Sequence, residues 1–151
     1  MFIHLHVHSH YSLLEAIGSP KAYLEAVKNL GMEAMALTDY GGMYGVIEFY
    51  KEAKKQWIKT ILGVELGYVT DMHRKDPGEN AGMIVLLAKN YAGYQNLLQL
   101  VSKAHLEGFH GIPRIDAACL REWWGELIAI SGWERSRLGK AQMNAVAEWI
   151  I

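Results

Sequence analysis

The stretch SPKAYLEAVKNLGMEAMALT, residues 19–38, decides the fold class because it predicts one helix followed by one buried strand. Ser19 is a preferred N-cap and Pro20 suits the first helical turn, while Gly31 is a typical stop. Apolar residues recur between them at helical spacing, which indicates an amphipathic helix. The run AMALT at 34–38 then has the composition of a buried strand, so this stretch predicts one unit of an α/β fold.

The same alternation of strand and helix patterns continues on both sides of that stretch. Further strands are predicted at residues 2–7 (FIHLHV), 60–69, 83–88 and 127–131, and further helices at 46–55, 91–105 and 138–151. The polar run DMHRKDPGENAG at 71–82 predicts a surface loop. Because alternating strands and helices are typical of parallel βα units, we predict an α/β fold built from such units.

Size and composition restrict the classes of protein that need to be considered. The chain has 151 residues, 51% of them hydrophobic, which suits one folded domain with one core. Its 15 basic and 16 acidic residues give a formal charge of -1, which excludes binding to nucleic acid through bulk charge alone. Cys119 is the single cysteine, so no internal disulfide can form, and no run reaches the ~20 apolar residues of a membrane span. We therefore expect a cytoplasmic protein.

Several possible metal ligands follow the predicted strands. His6 and His8 lie at the end of the first strand and are expected on one face, because side chains alternate with period two. Asp39 follows the strand at 34–38, Glu65 lies in the next strand, and Glu15 lies in the first loop. In parallel α/β folds such positions converge at the carboxyl ends of the strands, and this mixture of ligands suits zinc, manganese or iron.

A metal centre of this kind is suited to phosphoester hydrolysis, because the ion lowers the pKa of a bound water and binds phosphate oxygens. An isolated His-x-His pair is equally compatible with a surface or packing role. Arg114 could orient a phosphate, and His4 and His10 could support the ligands, but surface or packing positions are the commoner roles for such residues. The tryptophans at 123, 124 and 133 are more typical of packing than of base stacking.

Five blocks of sequence, taken in order, resemble one known family. They are HLHVHSHYSLLE (4–15), ALTDYGGMYGVIEFYKEAKK (36–55), ILGVELGYV (61–69), LLAKNYAGYQNLLQLVSKAHLEGF (86–109) and IPRID (112–116). Together they are similar to the N-terminal PHP (polymerase and histidinol phosphatase) domain of the bacterial replicative DNA polymerase III alpha subunit. The resemblance implies part of a distorted (βα)7 barrel with metal ligands at the carboxyl ends of its strands.

The resemblance also implies a set of ligands in this chain. His6 and His8 match the first ligand pair of the family, and Glu15 lies where an acidic ligand is usual. Asp39 matches the Asp of a Thr-Asp-His motif, and Glu65 matches a bridging carboxylate.

Three positions depart from the family pattern. Tyr40 and Met83 lie where the family has histidines, and Trp133 lies where it has a cysteine. A thioether and an indole are poor replacements for imidazole and thiolate, and a neutral phenol is a weak ligand. We therefore expect a degenerate site, with zinc or manganese at reduced occupancy or with none, rather than a complete trinuclear centre.

Residues 1–151 are then expected to form the N-terminal portion of a PHP domain whose barrel is incomplete within this chain. The implied partners are the remainder of the polymerase alpha subunit and the separate proofreading exonuclease subunit, with DNA reached through the polymerase and no membrane involved. The parent protein would be a DNA-directed DNA polymerase, whereas this chain would not itself synthesise DNA.

Two kinds of role remain open from the sequence. The first is a scaffold and docking domain in DNA replication whose metal site has decayed. The alternative is an active metal-dependent phosphoesterase, either a 3′-5′ proofreading exonuclease or pyrophosphatase, or a free-standing enzyme similar to histidinol phosphatases.

Overall fold

The computed structural model describes residues 2–76 and 81–131, which contain four helices and five strands. In chain order these elements are α1 (Pro20–Asn29), β1 (Ala34–Leu37), α2 (Val46–Gln56), β2 (Lys59–Tyr68), β3 (Gly82–Ala88), α3 (Tyr91–Leu106), β4 (Arg114–Ile115), α4 (Ala117–Glu122) and β5 (Leu127–Ser131). The helix predicted at 138–151 lies outside the described residues. No helix among the described residues is long and apolar enough to cross a membrane.

The helix and strand predicted at residues 19–38 are confirmed. The Ser19 side chain accepts a hydrogen bond from the Ala22 N–H at 3.2 Å, and Pro20 opens α1. The chain leaves this helix through Gly31, whose φ of +68° lies in the left-handed region that glycine adopts most easily. The local signals therefore agree with the tertiary structure in this region.

The sheet is mixed rather than wholly parallel. Its strand order is β1-β2-β3-β5, and β4 also pairs with β2. The pairs β1–β2 and β2–β4 are parallel, whereas β2–β3 and β3–β5 are antiparallel. The α/β class is confirmed, but parallel pairing does not extend to β3 and β5. A parallel pair requires a long crossover, usually a helix, and the described part of the loop between β2 and β3, residues 69–76, contains none.

Residues 2–7 do not form the regular strand that the alternation predicts. The segment runs beside β1, where the Ala36 N–H donates to the His4 carbonyl and the Thr38 N–H donates to the Val7 carbonyl, each at 2.8 Å. Only one isolated bridge forms, between His4 and Met35. The Val7 N–H instead donates to the Thr38 hydroxyl at 2.9 Å, so a side chain takes the place of one ladder bond.

The two faces of the sheet differ in what covers them. Helix α1 packs on β1, α2 packs on α1 and β2, and α3 packs on β2 and β3, burying side chains such as Leu37, Phe49, Leu66 and Leu97 on the outer face. The inner face carries a smaller apolar cluster that includes Val85. Glu65 pairs with Val85 and therefore points to that inner face.

The short elements β4 and α4 were not predicted. Asp116 caps α4 by accepting a hydrogen bond from the Cys119 N–H at 2.8 Å, and it also accepts one from the Met72 N–H at 3.1 Å. A strand of two residues and a helix of six give too few periods for a sequence pattern to be recognised.

Candidate metal centre

Three of the proposed ligands converge on one point at the inner face. The Nε2 atom of His6 lies 2.7 Å from Glu65 Oε2, and the Nε2 atom of His8 lies 2.6 Å from the same oxygen. The two Nε2 atoms are 3.1 Å apart. His6, His8 and Glu65 are the one group of this kind among the described residues, and we call it the triad.

The backbone explains how residues so distant in sequence meet. The Glu65 N–H donates to the Asp39 carbonyl at 3.1 Å, and the Gly41 N–H donates to the Glu65 carbonyl at 2.8 Å. The chain that leaves β1 therefore continues to pair with β2 as far as Glu65. The Val7–Thr38 hydrogen bonds hold the segment that carries His6 and His8 on the other side of β1. Strand β1 therefore aligns the two histidines with Glu65.

The triad is strongly coupled electrostatically. Burial alone would raise the pKa of Glu65, but hydrogen bonds from His6 and His8 outweigh that effect and lower this pKa from 4.5 to about 2. The hydrogen bond with Glu65 raises the pKa of His8 above 6.5, against the opposite effect of burial. Glu65 is therefore an anion across the physiological pH range, as a cation ligand must be.

The donor atoms also fit a single metal ion. Three atoms separated by 2.6, 2.7 and 3.1 Å can all lie about 2.0–2.1 Å from one ion, the usual distance for Zn²⁺ bound by His nitrogen and carboxylate oxygen. Two imidazoles and one carboxylate form a ligand set known from catalytic zinc sites, in which another position stays open. Zinc and manganese are both compatible with this mixture of ligands.

Asp39 does not join the triad. Its buried carboxylate accepts hydrogen bonds from the Ser9 N–H at 2.6 Å, from the Ser9 hydroxyl at 2.9 and 3.0 Å, and from the Ser12 hydroxyl at 2.9 Å. Ser12 in turn accepts a hydrogen bond from the Tyr40 N–H at 2.9 Å. These contacts anchor the loop after the histidines, so we call Asp39, Ser9 and Ser12 the loop anchor.

Sequence reasoning missed the two serines of the loop anchor. Ser9 and Ser12 are both buried, and their spacing is the only local signal of a shared partner. Gly45 completes the site, because an added Cβ there would lie 2.8 Å from Asp39 Oδ2 and 2.7 Å from the Tyr11 ring. A larger residue would displace the carboxylate or the ring.

Glu15 lies near the triad without being part of it. Its side chain is exposed, and its charge contributes to the raised pKa of His8. The preceding residue, Leu14, is fully exposed with φ of +67°, an uncommon backbone conformation for a leucine. The loop therefore presents Glu15 to solvent rather than to His6 and Glu65.

Two residues that depart from the family pattern lie on the same side of the sheet as Glu65. Tyr40 forms a parallel bridge with Glu65. Burial, followed by the charges of Glu65 and Glu15, raises the pKa of Tyr40, so its phenol stays neutral at physiological pH. Met83 pairs with Gly67, two residues along β2 from Glu65, and so shares the inner face. Neither side chain supplies a strong metal ligand.

Arg114 has a structural role rather than the phosphate-binding role considered above. It is almost fully buried, and its guanidinium donates to the carbonyls of Gly108 at 2.9 Å, Met72 at 3.2 Å and Arg74 at 2.8 Å. It therefore ties the loop after β2 to the end of α3.

The other histidines considered lie apart from the triad. The His4 ring packs against Phe2, with ring centroids 4.7 Å apart, and the His10 ring packs against Tyr11 at 4.6 Å. His105 was not predicted to matter, yet its Nε2 lies 2.6 Å from the Gly41 carbonyl. Because a carbonyl only accepts, Nε2 carries the hydrogen and donates a hydrogen bond to the Gly41 carbonyl.

Comparison with known proteins assigns the family. The PHP domain family matches residues 4–150. The chain is 45% identical over 134 residues to the DNA polymerase III subunit alpha of Borreliella burgdorferi, covering 86% of this chain and 12% of that protein. It is 43% identical over 139 residues to the Thermus aquaticus subunit, covering 87% and 11%, and 34% identical over 153 residues to that of Buchnera aphidicola, covering 99% and 13%. The chain thus spans about an eighth of the length of these relatives.

The fold has a counterpart among solved structures. An amidohydrolase from Chromobacterium violaceum, solved with bound sulfate and no metal, aligns with a TM-score of 0.51 at 24% identity, covering 68% of this chain and 32% of that one. At that identity the likeness concerns the fold alone, and it agrees with a partial PHP barrel. The sequence similarity, unlike the structural one, covers nearly the whole chain, and this chain belongs to the PHP domain family.

Proposed function

We propose that this chain is the PHP portion of a DNA polymerase III alpha subunit and serves in DNA replication as a scaffold domain with one residual metal site. The similarity to alpha subunits, at 34–45% identity over 86–99% of the chain, supports the placement in that subunit. The partners we propose are the remainder of the subunit and, as a docked protein, the proofreading exonuclease subunit. DNA would be reached through the polymerase.

The triad is the observation on which the metal site depends. His6 and His8 would bind the ion through Nε2 and Glu65 through its carboxylate, with zinc or manganese as the ion. When bound, such an ion supplies a Lewis acid that polarises an oxygen ligand. The imidazoles must release their protons to bind it, so affinity should rise with pH. The loop anchor keeps the segment after His8 in place while this exchange occurs.

The described residues around the triad favour a scaffold role over independent hydrolysis, because they do not supply ligands for a second metal ion. Hydrolysis of phosphoesters with paired ions requires ligands for a second ion, about 3.5–4 Å from the first. Among the described residues, no second cluster of His, Cys, Asp or Glu side chains accompanies the triad. Asp39 is engaged by serines, and a phenol and a thioether lie at positions 40 and 83. We therefore propose one ion, without paired-ion catalysis.

Metal content tests the site directly. The purified chain is saturated with Zn²⁺ or Mn²⁺, freed of excess ion and measured by elemental analysis. One ion per chain is expected in the wild type, and its affinity should fall by about 100-fold or more in His8→Ala. His4→Ala is the matched control, because it removes an exposed imidazole that lies outside the triad. Absence of stoichiometric metal, or equal loss in both variants, would contradict the proposed site.

Activity separates the scaffold from the hydrolase. The metal-loaded chain is incubated with bis(p-nitrophenyl) phosphate and with a DNA strand labelled for removal of its 3′ end. Turnover no greater than that of His8→Ala is expected. Two bound ions, or metal-dependent turnover that His8→Ala abolishes, would instead establish the phosphoesterase.

Restoring the missing ligand types sharpens the assignment. The double variant Tyr40→His with Met83→His is expected to bind metal more tightly than the wild type, because both positions share the inner face with Glu65. The single variants should have smaller effects. Unchanged metal binding in the double variant would mean that these side chains do not surround the ion.

A further inference from the structure

A groove on the outer face of the sheet lies between α2 and the start of α3, and we call it the outer groove. It holds a cavity of about 430 Å³ whose walls include Ile47, Tyr50, Thr60, Leu62, Tyr91 and Tyr94. Leu62 lies an odd number of residues from Glu65 on β2, so the two side chains point to opposite faces. The outer groove is therefore separate from the triad.

The rim of the outer groove exposes large apolar side chains. The exposed fraction is 53% for Ile47, 48% for Tyr50 and 72% for Tyr91. Trp57, which is 94% exposed, lines an adjoining cavity that shares Tyr50 and Thr60 with the first. A contiguous surface of this kind is unusual on a soluble protein without a binding role, and Tyr and Trp are the residue types enriched where partners anchor.

The surroundings of the groove are positively charged. Four exposed lysines without an acidic partner among the described residues lie on or beside it: Lys51, Lys54, Lys59 and Lys89. Of the nearby acidic groups, Glu52 forms an ion pair with Lys55 at 2.5 Å. Glu48 and Glu126 accept hydrogen bonds from the neutral Tyr11 hydroxyl and Asn90 amide and keep their charge, so the four lysines outnumber the unpaired carboxylates. The groove therefore combines an apolar floor with unpaired positive charge at its edge.

We propose that the outer groove binds an acidic linear segment of a separate protein, which inserts large apolar side chains between Tyr50 and Tyr91. Charge complementarity selects an acidic partner, and the cavity accommodates its apolar anchors. An apolar centre with a charged rim is the anatomy of a reversible interface, whereas permanent interfaces are more uniformly apolar.

A single-stranded nucleic acid fits the same surface less well. Bases stack on exposed aromatic faces, but the Tyr91 and Tyr94 rings are tilted by 34° to each other, with centroids 6.1 Å apart, so they do not form a flat stacking surface. The floor between them and α2 is aliphatic, with Val46 and Leu62.

The test begins with an unbiased probe. The chain is used to select from a library of random peptides displayed on phage, and the enriched peptides are synthesised and measured by fluorescence anisotropy. Acidic peptides that carry Leu, Phe or Trp are expected. Tyr50→Ala should weaken their binding by about tenfold, and Lys54→Glu should weaken it and reduce its dependence on salt.

Controls keep the result interpretable. Trp57→Ala removes an almost fully exposed side chain and gives a second apolar variant should Tyr50→Ala fold poorly, which circular dichroism checks. Leu106→Ala and Lys28→Glu change an exposed leucine and an exposed lysine away from the groove and should leave binding unchanged. The metal triad is not involved, so loss of metal in His8→Ala should also leave peptide binding intact.

Other outcomes overturn the proposal. Enriched peptides without acidic residues, or binding that survives both apolar variants, would exclude an acidic segment in this groove. Binding of an oligo-dT strand that Tyr50→Ala abolishes, in place of peptide binding, would assign the groove to nucleic acid. Self-association that is lost in Tyr50→Ala would assign it to a second copy of this chain.

Discussion

Two buried carboxylates near the ends of neighbouring strands behave differently. Asp39 is held by the Ser9 N–H and by the hydroxyls of Ser9 and Ser12, and Glu65 by the imidazoles of His6 and His8. Serine hydroxyls and a backbone amide fix a loop, whereas imidazoles can release a proton and bind metal in its place. The role of each carboxylate is therefore determined by the hydrogen-bond partners that the fold brings to it, and the presence of an acidic residue at the position does not predict that role.

The largest expected effect concerns the loop anchor. Asp39→Ala leaves the Ser9 and Ser12 donors buried without an acceptor, so we expect the free energy of unfolding to fall by about 3 kcal/mol in metal-free protein. Urea denaturation measures this. Asp39→Asn should lose less, because one acceptor oxygen remains. If Asp39→Ala changed only metal binding and left stability intact, Asp39 would belong with Glu65 as a ligand.

The pH dependence of the triad gives an intermediate effect. In metal-free protein, the lowered pKa of Glu65 stabilises the fold above about pH 4.5, and this contribution is lost as pH falls toward 2. The raised pKa of His8 stabilises it below pH 6.5, and this contribution is lost as pH rises through the raised value. The stability difference between wild type and Glu65→Gln should therefore be greatest between about pH 4.5 and 6.5.

Urea denaturation of wild type and Glu65→Gln across this range, in the presence of a chelator, provides the measurement. Zinc affinity should change in the opposite direction and increase above this range, because protons no longer compete for the imidazoles. A stability difference that grew steadily with pH would mean that the triad is not proton-linked in the way its hydrogen bonds indicate.

The smallest expected effect lies in the turn that follows Asp39 and hydrogen-bonds to the Glu65 backbone through Gly41. His105 donates to the Gly41 carbonyl, and the Gly41 N–H donates to the Glu65 carbonyl, so His105 positions β2 at the triad without touching it. His105→Ala is expected to weaken zinc binding by about tenfold, measured by competition with a chelator. His105→Gln, which keeps an N–H donor, should recover part of the loss.

A matched control distinguishes this positioning role from general destabilisation. His110→Ala removes an exposed imidazole from the loop after α3 and should leave zinc affinity unchanged. If His105→Ala also left zinc affinity unchanged, the Gly41 turn would keep its conformation without His105. The loop anchor and the triad would then be connected through β1 only.

Asp39 shows how an expectation from sequence similarity can differ from the tertiary contacts. The expectation that Asp39 and Glu15 bind metal depended on their position after strands and on family resemblance. In the structure the Asp39 oxygens are occupied by Ser9 and Ser12, and Glu15 faces solvent. Their role as metal ligands therefore stays a prediction.

The sequence alone determined the features that depend on neighbouring residues. Ser19, Pro20 and Gly31 mark the ends of α1, strand β5 was located to the residue, and the His-x-His pair identified two of the three triad residues. Capping and periodicity act over a few residues, so a single sequence carries them.

Only the tertiary structure decided the features that depend on distant pairing. The antiparallel placement of β3, the contact of His6 with Glu65 rather than with Asp39, and the outer groove between α2 and α3 all depend on strand register and helix packing. These arise from the summed burial of many side chains rather than from any local pattern, because a shift of one residue in register would turn Glu65 to the opposite face.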